Sequence, residues 1–227
     1  MNDLKLSKRL STAASYVRSG AFVADIGTDH AYLPIYLVLN GIASFALASD
    51  INEGPILKAR ENIDKYGLND KIYTEIANGL DNIEKYKPTD IVICGMGGEL
   101  IAKILDASAY IKNENIRLIL QPMTSVYELR EYLSNGFSTI AENIVCEEDK
   151  LYQIICVKYD GIKHVYSSSE LELGQLNIKT RSKEFFSLLD LTINKKKKRL
   201  NGLKLGGHDT LEVEAEILEL EKLKNDI

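Results

Sequence analysis

The sequence is poor in the residues that staple or metallate a small protein. Three cysteines cannot pair completely, and Cys94, Cys146 and Cys156 sit in apolar, β-rich runs instead of a spaced framework, so they read as reduced, buried thiols. His30, His164 and His208 are scattered, and no C-x-x-C or H-x-x-x-H spacing offers a preformed metal site; no metal is expected. The longest nearly uncharged apolar stretch, 91–98, is far shorter than the roughly 20 residues of a spanning helix. The polar opening MNDLKLSKRL lacks the apolar region of a signal peptide, so the chain reads as cytoplasmic, without a membrane partner. A net charge of −5 argues weakly against a nucleic-acid partner, although that charge is unevenly spread. What is present is ordinary: 45% hydrophobic and 27% charged residues in a chain of 227, enough to bury a core in one or two domains.

From residue 22 onward, short β-branched apolar runs alternate with helix-length segments, the pattern of βαβ units around a parallel sheet. Strands are expected at 22–27, 45–51, 72–77, 90–96, 117–122, 138–146 and 151–159. The last two flank the acidic turn 147–150, too short for a helical crossover, so they are expected to be antiparallel neighbours. Helices are expected at 4–18, 32–40, 54–66, 99–107 and 126–135, and glycines 41, 67 and 136 follow three of these as stop signals. After a polar linker at 167–169 the strand pattern ends. Phe185, Leu189, Thr192 or Ile193, Leu200 and Leu203 make one helical stripe, and Val213, Ile217, Leu220 and Ile227 another. Gly206 and Gly207 break between them, and Asp209 with Glu212 resembles a capping box, so an antiparallel helical hairpin is expected. The resulting division is a Rossmann-like catalytic domain at 1–162 and a helical, coiled-coil-like domain at 170–227.

Ligands of an open α/β sheet bind outside the carboxyl ends of its strands, where strand order reverses. That rule selects four loops: Asp25 to His30, Asp50 to Asn52 with Ile51 between, Asn78-Gly79-Leu80, and Gly95-Met96-Gly97-Gly98. The first has Gly27 but lacks the later glycines of a dinucleotide fingerprint and carries Asp29 instead. A pyrophosphate needs bare N–H groups there, and a carboxylate would repel it. A donor with an ammonium and a sulfonium, such as S-adenosylmethionine, suits Asp25 and Asp29 better. Asp50 lies 23 residues beyond Gly27, where an acidic side chain accepts both hydroxyls of a ribose; this suits NAD and S-adenosylmethionine equally. Asn78 and Gly79 would approach the adenine edge, and Gly95 to Gly98 would admit donor and substrate closely. Plainer readings stand beside these: Asp29 as a helix N-cap, Asp50 as a turn residue, the glycines as a tight turn, and His30 as an ordinary loop histidine.

Together these segments carry a resemblance. DIGTDHAYLPIYL, ASDINEGPILKAREN, NGL, CGMGGELIAKIL, LILQP and EEDKLYQII closely resemble the bacterial tRNA (adenine-22-N1)-methyltransferase family over about residues 4–159. The resemblance implies a class I methyltransferase fold, S-adenosylmethionine as donor, and N1 of an adenine in the D-loop region of tRNA as acceptor. It places donor contacts at Asp25, Gly27, Asp29, His30, Asp50, Asn78, Gly95 and Met96, with Ile51 and Gly79 beside them. The family usually has aspartate where this chain has Asn78; asparagine keeps one acceptor and adds donors. A ring nitrogen offers its lone pair already, so it needs positioning more than deprotonation. Positive charge develops on the ring during transfer, and Asp29 is the candidate catalytic carboxylate to offset it.

The tail supplies the charge asymmetry. Residues 179–204 hold nine Lys or Arg against Glu184 and Asp190, whereas 209–227 hold seven acidic residues against two basic. The plain reading is a charge-complementary hairpin with solvated outer faces. The run Lys195, Lys196, Lys197, Lys198 and Arg199 spans more than one helical turn, so some of these residues must point away from an acidic partner and can track RNA phosphates. The expected partner is tRNA, and nothing calls for an obligate protein partner. Three alternatives stay open: methylation of another RNA or a small molecule, an NAD-dependent dehydrogenase, and a catalytically silent RNA-binding module.

Overall fold

In a computed structural model the described residues are 4–225, and the chain divides after His164 into two compact units. In the first unit the described strands form one seven-stranded sheet. In chain order they are β1 (Ala21–Ile26), β2 (Ala43–Asp50), β3 (Ile72–Ile76), β4 (Asp90–Met96), β5 (Arg117–Pro122), β6 (Asn135–Glu147) and β7 (Lys150–Lys163). Across the sheet the order is β3-β2-β1-β4-β5-β7-β6, with every pair parallel except those made by β7. The order reverses between β1 and β4, which places the ligand crevice at their carboxyl ends. Glu148 and Asp149, both in left-handed backbone, make a two-residue turn of the kind that follows the twist of a hairpin, so the acidic turn is as short as its spacing requires.

The helices of this unit are α1 (Lys8–Ser15), α2 (Tyr32–Leu39), α3 (Glu53–Lys65), α4 (Gly98–Asp106) and α5 (Val126–Leu133). Because crossovers cover both faces, the central strands are apolar on both. Val23, Val92 and Ile119 enter one core with Ile35 and Ile63, and Ala24, Ile91 and Leu118 enter the other with Ile101 and Leu129. Helix α1 is shorter than the amphipathic stretch 4–18: the Ser7 hydroxyl accepts from the Leu10 amide and starts the helix there.

The second unit contains α6 (Ser168–Leu173), α7 (Gln175–Thr180), α8 (Lys183–Leu205) and α9 (Leu211–Asn225). The expected linker at 167–169 is instead the start of a helix. The Ser167 hydroxyl accepts from the Glu170 amide while Glu170 accepts from the Ser167 amide, a complete capping box. Helices α8 and α9 form the hairpin. Phe185, Leu189, Thr192 and Ile193 are buried on one side, and Val213, Ile217 and Leu220 on the other; Ile227 lies outside the described residues. Gly207 turns the chain with positive φ, and Asp209 accepts from the Leu211 amide ahead of α9. No helix of the described residues is long and apolar enough to cross a membrane.

Candidate active site

The carboxyl ends of β1 and β4 border a cavity of about 230 Å³ lined by Arg9, Leu10, Asp25, Gly27, Asp29, Leu33, Cys94 and Gly95. Four of the residues expected from sequence, Asp25, Gly27, Asp29 and Gly95, therefore converge on one space. His30 and Met96 adjoin it in sequence, whereas Asp50, Ile51, Asn78 and Gly79 occupy the neighbouring loops after β2 and β3.

Asp25 sits near the end of β1, opposite Ala48 on one side and Val92 on the other, and is only 7% exposed. Burial raises its pKa to about 6; the Thr28 hydroxyl offsets part of this, while the Asp29 and Asp50 charges add to it. Such a carboxyl gains from a cation placed beside it. Gly27 follows with φ +74°, and a Cβ there would run into the Met96 methyl, so Met96 rests directly over this turn.

The next residues, His30 and Ala31, both adopt left-handed backbone. This removes the capping reading of Asp29: α2 begins after Ala31, and no side-chain cap bond is made. The Asp29 carboxylate is largely solvent-exposed and lies 3.2 Å from the His30 ring nitrogen. His30 in turn stacks on Tyr32, with ring centroids 5.4 Å apart and planes 6° from parallel.

At the end of β2, Asp50 Oδ1 accepts from the Asn52 amide at 2.7 Å, so the turn and ribose readings are compatible: one carboxylate oxygen closes the turn. Ile51 is exposed and Asn78 is at the surface. Gly79 packs so closely on Ile104 that an added Cβ would stand 3.0 Å from it. Strand β4 ends in a bulge at Gly95, between the pairs Cys94↔Gln121 and Met96↔Pro122, and the bulge turns the backbone into the cavity. Gly98 serves a different purpose, since a Cβ there would fall 2.0 Å from the Ser125 carbonyl oxygen; it lets the start of α4 pack against the residue that precedes α5.

Sequence reasoning missed Arg9, which reads there as one more charge on a polar helix face. Its Nη1 donates to Gln121 Oε1 at 2.8 Å, its Nε lies 3.4 Å from Glu147 Oε1, and its guanidinium stands over the Tyr152 ring, 5.6 Å from the centroid. No local signal marks it, because its partners come from β5, β6 and β7. Burial pushes the Cys94 thiol up, with the Asp25 charge adding to that effect; of the three cysteines expected to be buried, Cys156 is, Cys94 is half-buried and Cys146 is exposed. The described residues hold no cluster of His, Cys, Asp or Glu fit for a metal.

In the second unit the basic run is split. Lys196 pairs with Glu216 at 3.0 Å and Lys197 with Glu221 at 2.6 Å, so both are engaged by the acidic helix α9. Lys195, Lys198 and Arg199 are exposed, make no ion pair with the described residues, and share one face of α8 by their three- and four-residue spacing.

The strand order and the loop cluster at its switch point define a class I methyltransferase fold. A family model for a methyltransferase domain matches residues 6–155. The curated Bacillus subtilis tRNA (adenine(22)-N(1))-methyltransferase is 43% identical over 177 residues, 78% of this chain and 74% of that protein. Among solved structures, Streptococcus pneumoniae Sp1610 in complex with S-adenosyl-L-methionine superposes with a TM-score of 0.85 at 34% identity, covering 96% of this chain and 99% of that one. M. capricolum TrmK in complex with S-adenosyl-homocysteine gives 0.79 at 31% identity, covering 96% of both chains. The chain belongs to the tRNA (adenine(22)-N(1))-methyltransferase family.

Proposed function

We propose that this protein transfers a methyl group from S-adenosylmethionine to N1 of adenine 22 of tRNA, in the cytoplasm, with the donor held at the carboxyl ends of β1, β2 and β4. The observation that carries the reading is the cavity at the sheet's switch point, which combines the carboxylates of Asp25 and Asp29 in a chain of this family. When bound, the donor supplies an electrophilic methyl on a sulfonium. Asp25 and Asp29 supply the negative field for its positive end, Asp50 Oδ2 is left to accept from a ribose, and Gly27 and the Gly95 bulge let the backbone come close. Asn78 and Gly79 border the adenine side.

The N1 lone pair of the target adenine forms the new bond to the methyl carbon as the carbon–sulfur bond breaks, and the electron pair leaves on a now neutral thioether. The product ring carries the positive charge, so no proton has to be removed for transfer to complete. Asp29 is exposed and unburdened by capping, and it offsets that charge. N1 lies on the pairing edge, so the base must be unpaired or turned out before transfer.

Residues 1–162 thus form the catalytic part, and 170–227 present Lys195, Lys198 and Arg199 to the RNA backbone. The direct test is methylation of unmodified tRNA with labelled donor, followed by mapping of the modified base. Label at N1 of adenine 22 is the expected result; label at another atom, or in small molecules only, overturns the reading. Replacing Lys195, Lys198 and Arg199 together by Gln should weaken tRNA binding and flatten its salt dependence by a little under one unit of slope per lost contact. An unaltered slope returns these residues to a solvated face.

A further inference from the structure

We infer that the stacked rings of His30 and Tyr32 form the seat of the target adenine, which extends the stack by one ring. The inference rests on the acceptor being an adenine of tRNA. Asp29 and Leu33 both line the cavity, and the two rings are carried by the chain between them. They are not core: the His30 side chain is 40% exposed and Tyr32 39%. Two rings with planes 6° from parallel can accept a third flat ring, and unstacked RNA bases settle on aromatic side chains of this kind. The donor's own adenine is not the candidate, because the proposed arrangement puts it beside Asn78 and Gly79, after β3.

The pair is fixed before any base arrives. The His30 carbonyl accepts from Asn62 Nδ2 of α3 at 3.0 Å, and its ring nitrogen lies 3.2 Å from Asp29 Oδ1, so this residue is held at its backbone and at its ring edge. Tyr32 opens α2, and the buried Leu33, Pro34 and Ile35 behind it anchor that helix. A base laid on the stack therefore has the Asp29 carboxylate at its margin, where positive charge develops as N1 is methylated. An electron-rich ring face attracts that charge as well. The stack thus holds the product-like cation more strongly than neutral adenine, which speeds the transfer step and does not only aid binding.

The test reads stacking without turnover. Transfer RNA carrying 2-aminopurine at position 22, an adenine analogue whose fluorescence dims when it is stacked, is saturated with protein in the presence of S-adenosylhomocysteine. Bound to wild type or to Tyr32→Phe the probe should be dim. Bound to Tyr32→Ala, or to Tyr32→Leu, which keeps bulk but has no ring, it should be several-fold brighter. Donor affinity by calorimetry should be unchanged in all three variants, which also shows that they fold. On unmodified tRNA with both substrates saturating, Tyr32→Leu should methylate about tenfold more slowly in a single turnover, the usual scale of loss on deleting a base-stacking ring, and Tyr32→Phe should match wild type. Equal brightness with wild type and the two ringless variants would overturn the inference. So would a loss of donor affinity in Tyr32→Leu, which would give the ring to the donor. Wild-type protein that binds the donor yet leaves adenine 22 unmethylated would overturn the proposed reaction itself, and the inference with it.

Discussion

Asp25 and Asp90 are aspartates buried in the same sheet, on strands that lie side by side and two positions apart in register, Asp90 at the amino end of β4 and Asp25 near the carboxyl end of β1. Asp90 opens β4 and is fully partnered: the Arg18 side chain donates to Oδ1 through Nε at 2.7 Å, and the Arg18 backbone amide donates to Oδ2 at 2.8 Å. The same guanidinium reaches the Thr89 and Asn115 carbonyls at 2.6 and 2.8 Å. Asp25, near the end of β1, has no comparable cation, and burial lifts its pKa to about 6. A buried carboxylate with its partners supplied by the chain is part of the fold. One left without them is a stability cost that a bound cation relieves, which supports the proposal that the carboxyl end of this sheet is the working end.

The sharpest way to test this contrast is at its structural end. Arg18→Ala leaves Asp90 buried without its cation and should destabilise the first unit by about 3 kcal/mol, the lower end for a broken buried pair because Arg18 itself is partly exposed. Urea denaturation measures the loss, and donor affinity of the folded protein should stay within about twofold. A variant of unchanged stability would break the comparison.

At the working end the expected signature is reversed. Asp29→Asn should lower the single-turnover rate of tRNA methylation by around a hundredfold, roughly 2.7 kcal/mol of barrier, with stability unaffected because this side chain caps no helix. A rate within about threefold of wild type would remove Asp29 from catalysis.

A smaller effect distinguishes Asp25 by pH. Its pKa is raised in the folded state, so the folded protein binds the extra proton between about pH 4 and pH 6 and stability falls as pH rises through that window. Asp25→Asn should therefore gain stability at pH 8, and that gain should shrink as pH falls through about 6 and vanish below about 4. Donor affinity has the opposite dependence. A cationic ligand selects the ionised carboxylate, so affinity in the wild type should fall several-fold as pH drops below about 6, and this dependence should be absent in Asp25→Asn. Calorimetric titration at pH 5 and pH 7.5 decides it; a flat wild-type profile would mean that Asp25 does not meet the donor's charge.

What could be read in advance follows from how local each signal is. The β-branched runs of β1, β4 and β5 are buried on both faces, so composition alone identifies them, and the loops that follow inherit their position from the fold rule. Asp25, Gly27, Asp29 and Gly95 meet as expected for this reason. Helices α6 and α7 escaped notice because a serine-rich segment reads as a linker until the reciprocal Ser167 and Glu170 bonds are seen. The capping role considered for Asp29 fails because two successive left-handed residues delay the start of α2, a backbone choice that His30 and Ala31 do not advertise. Within the lysine run, periodicity shows that some residues must face outward, but which ones depends on the register of α9 against α8.

The Arg9 and Glu147 contact joins residues 138 positions apart, and so ties the first helix to the final hairpin of its unit. The cavity therefore has a wall that exists only once nearly the whole unit has been synthesised. Contacts of such long sequence separation form late, because closing the intervening chain costs entropy before any contact repays it. A chain emerging from the ribosome with β1 through β5 already paired would still lack the anchor for Arg9. The wall of this cavity is thus assembled from both ends of the unit's chain, the first helix and the final hairpin.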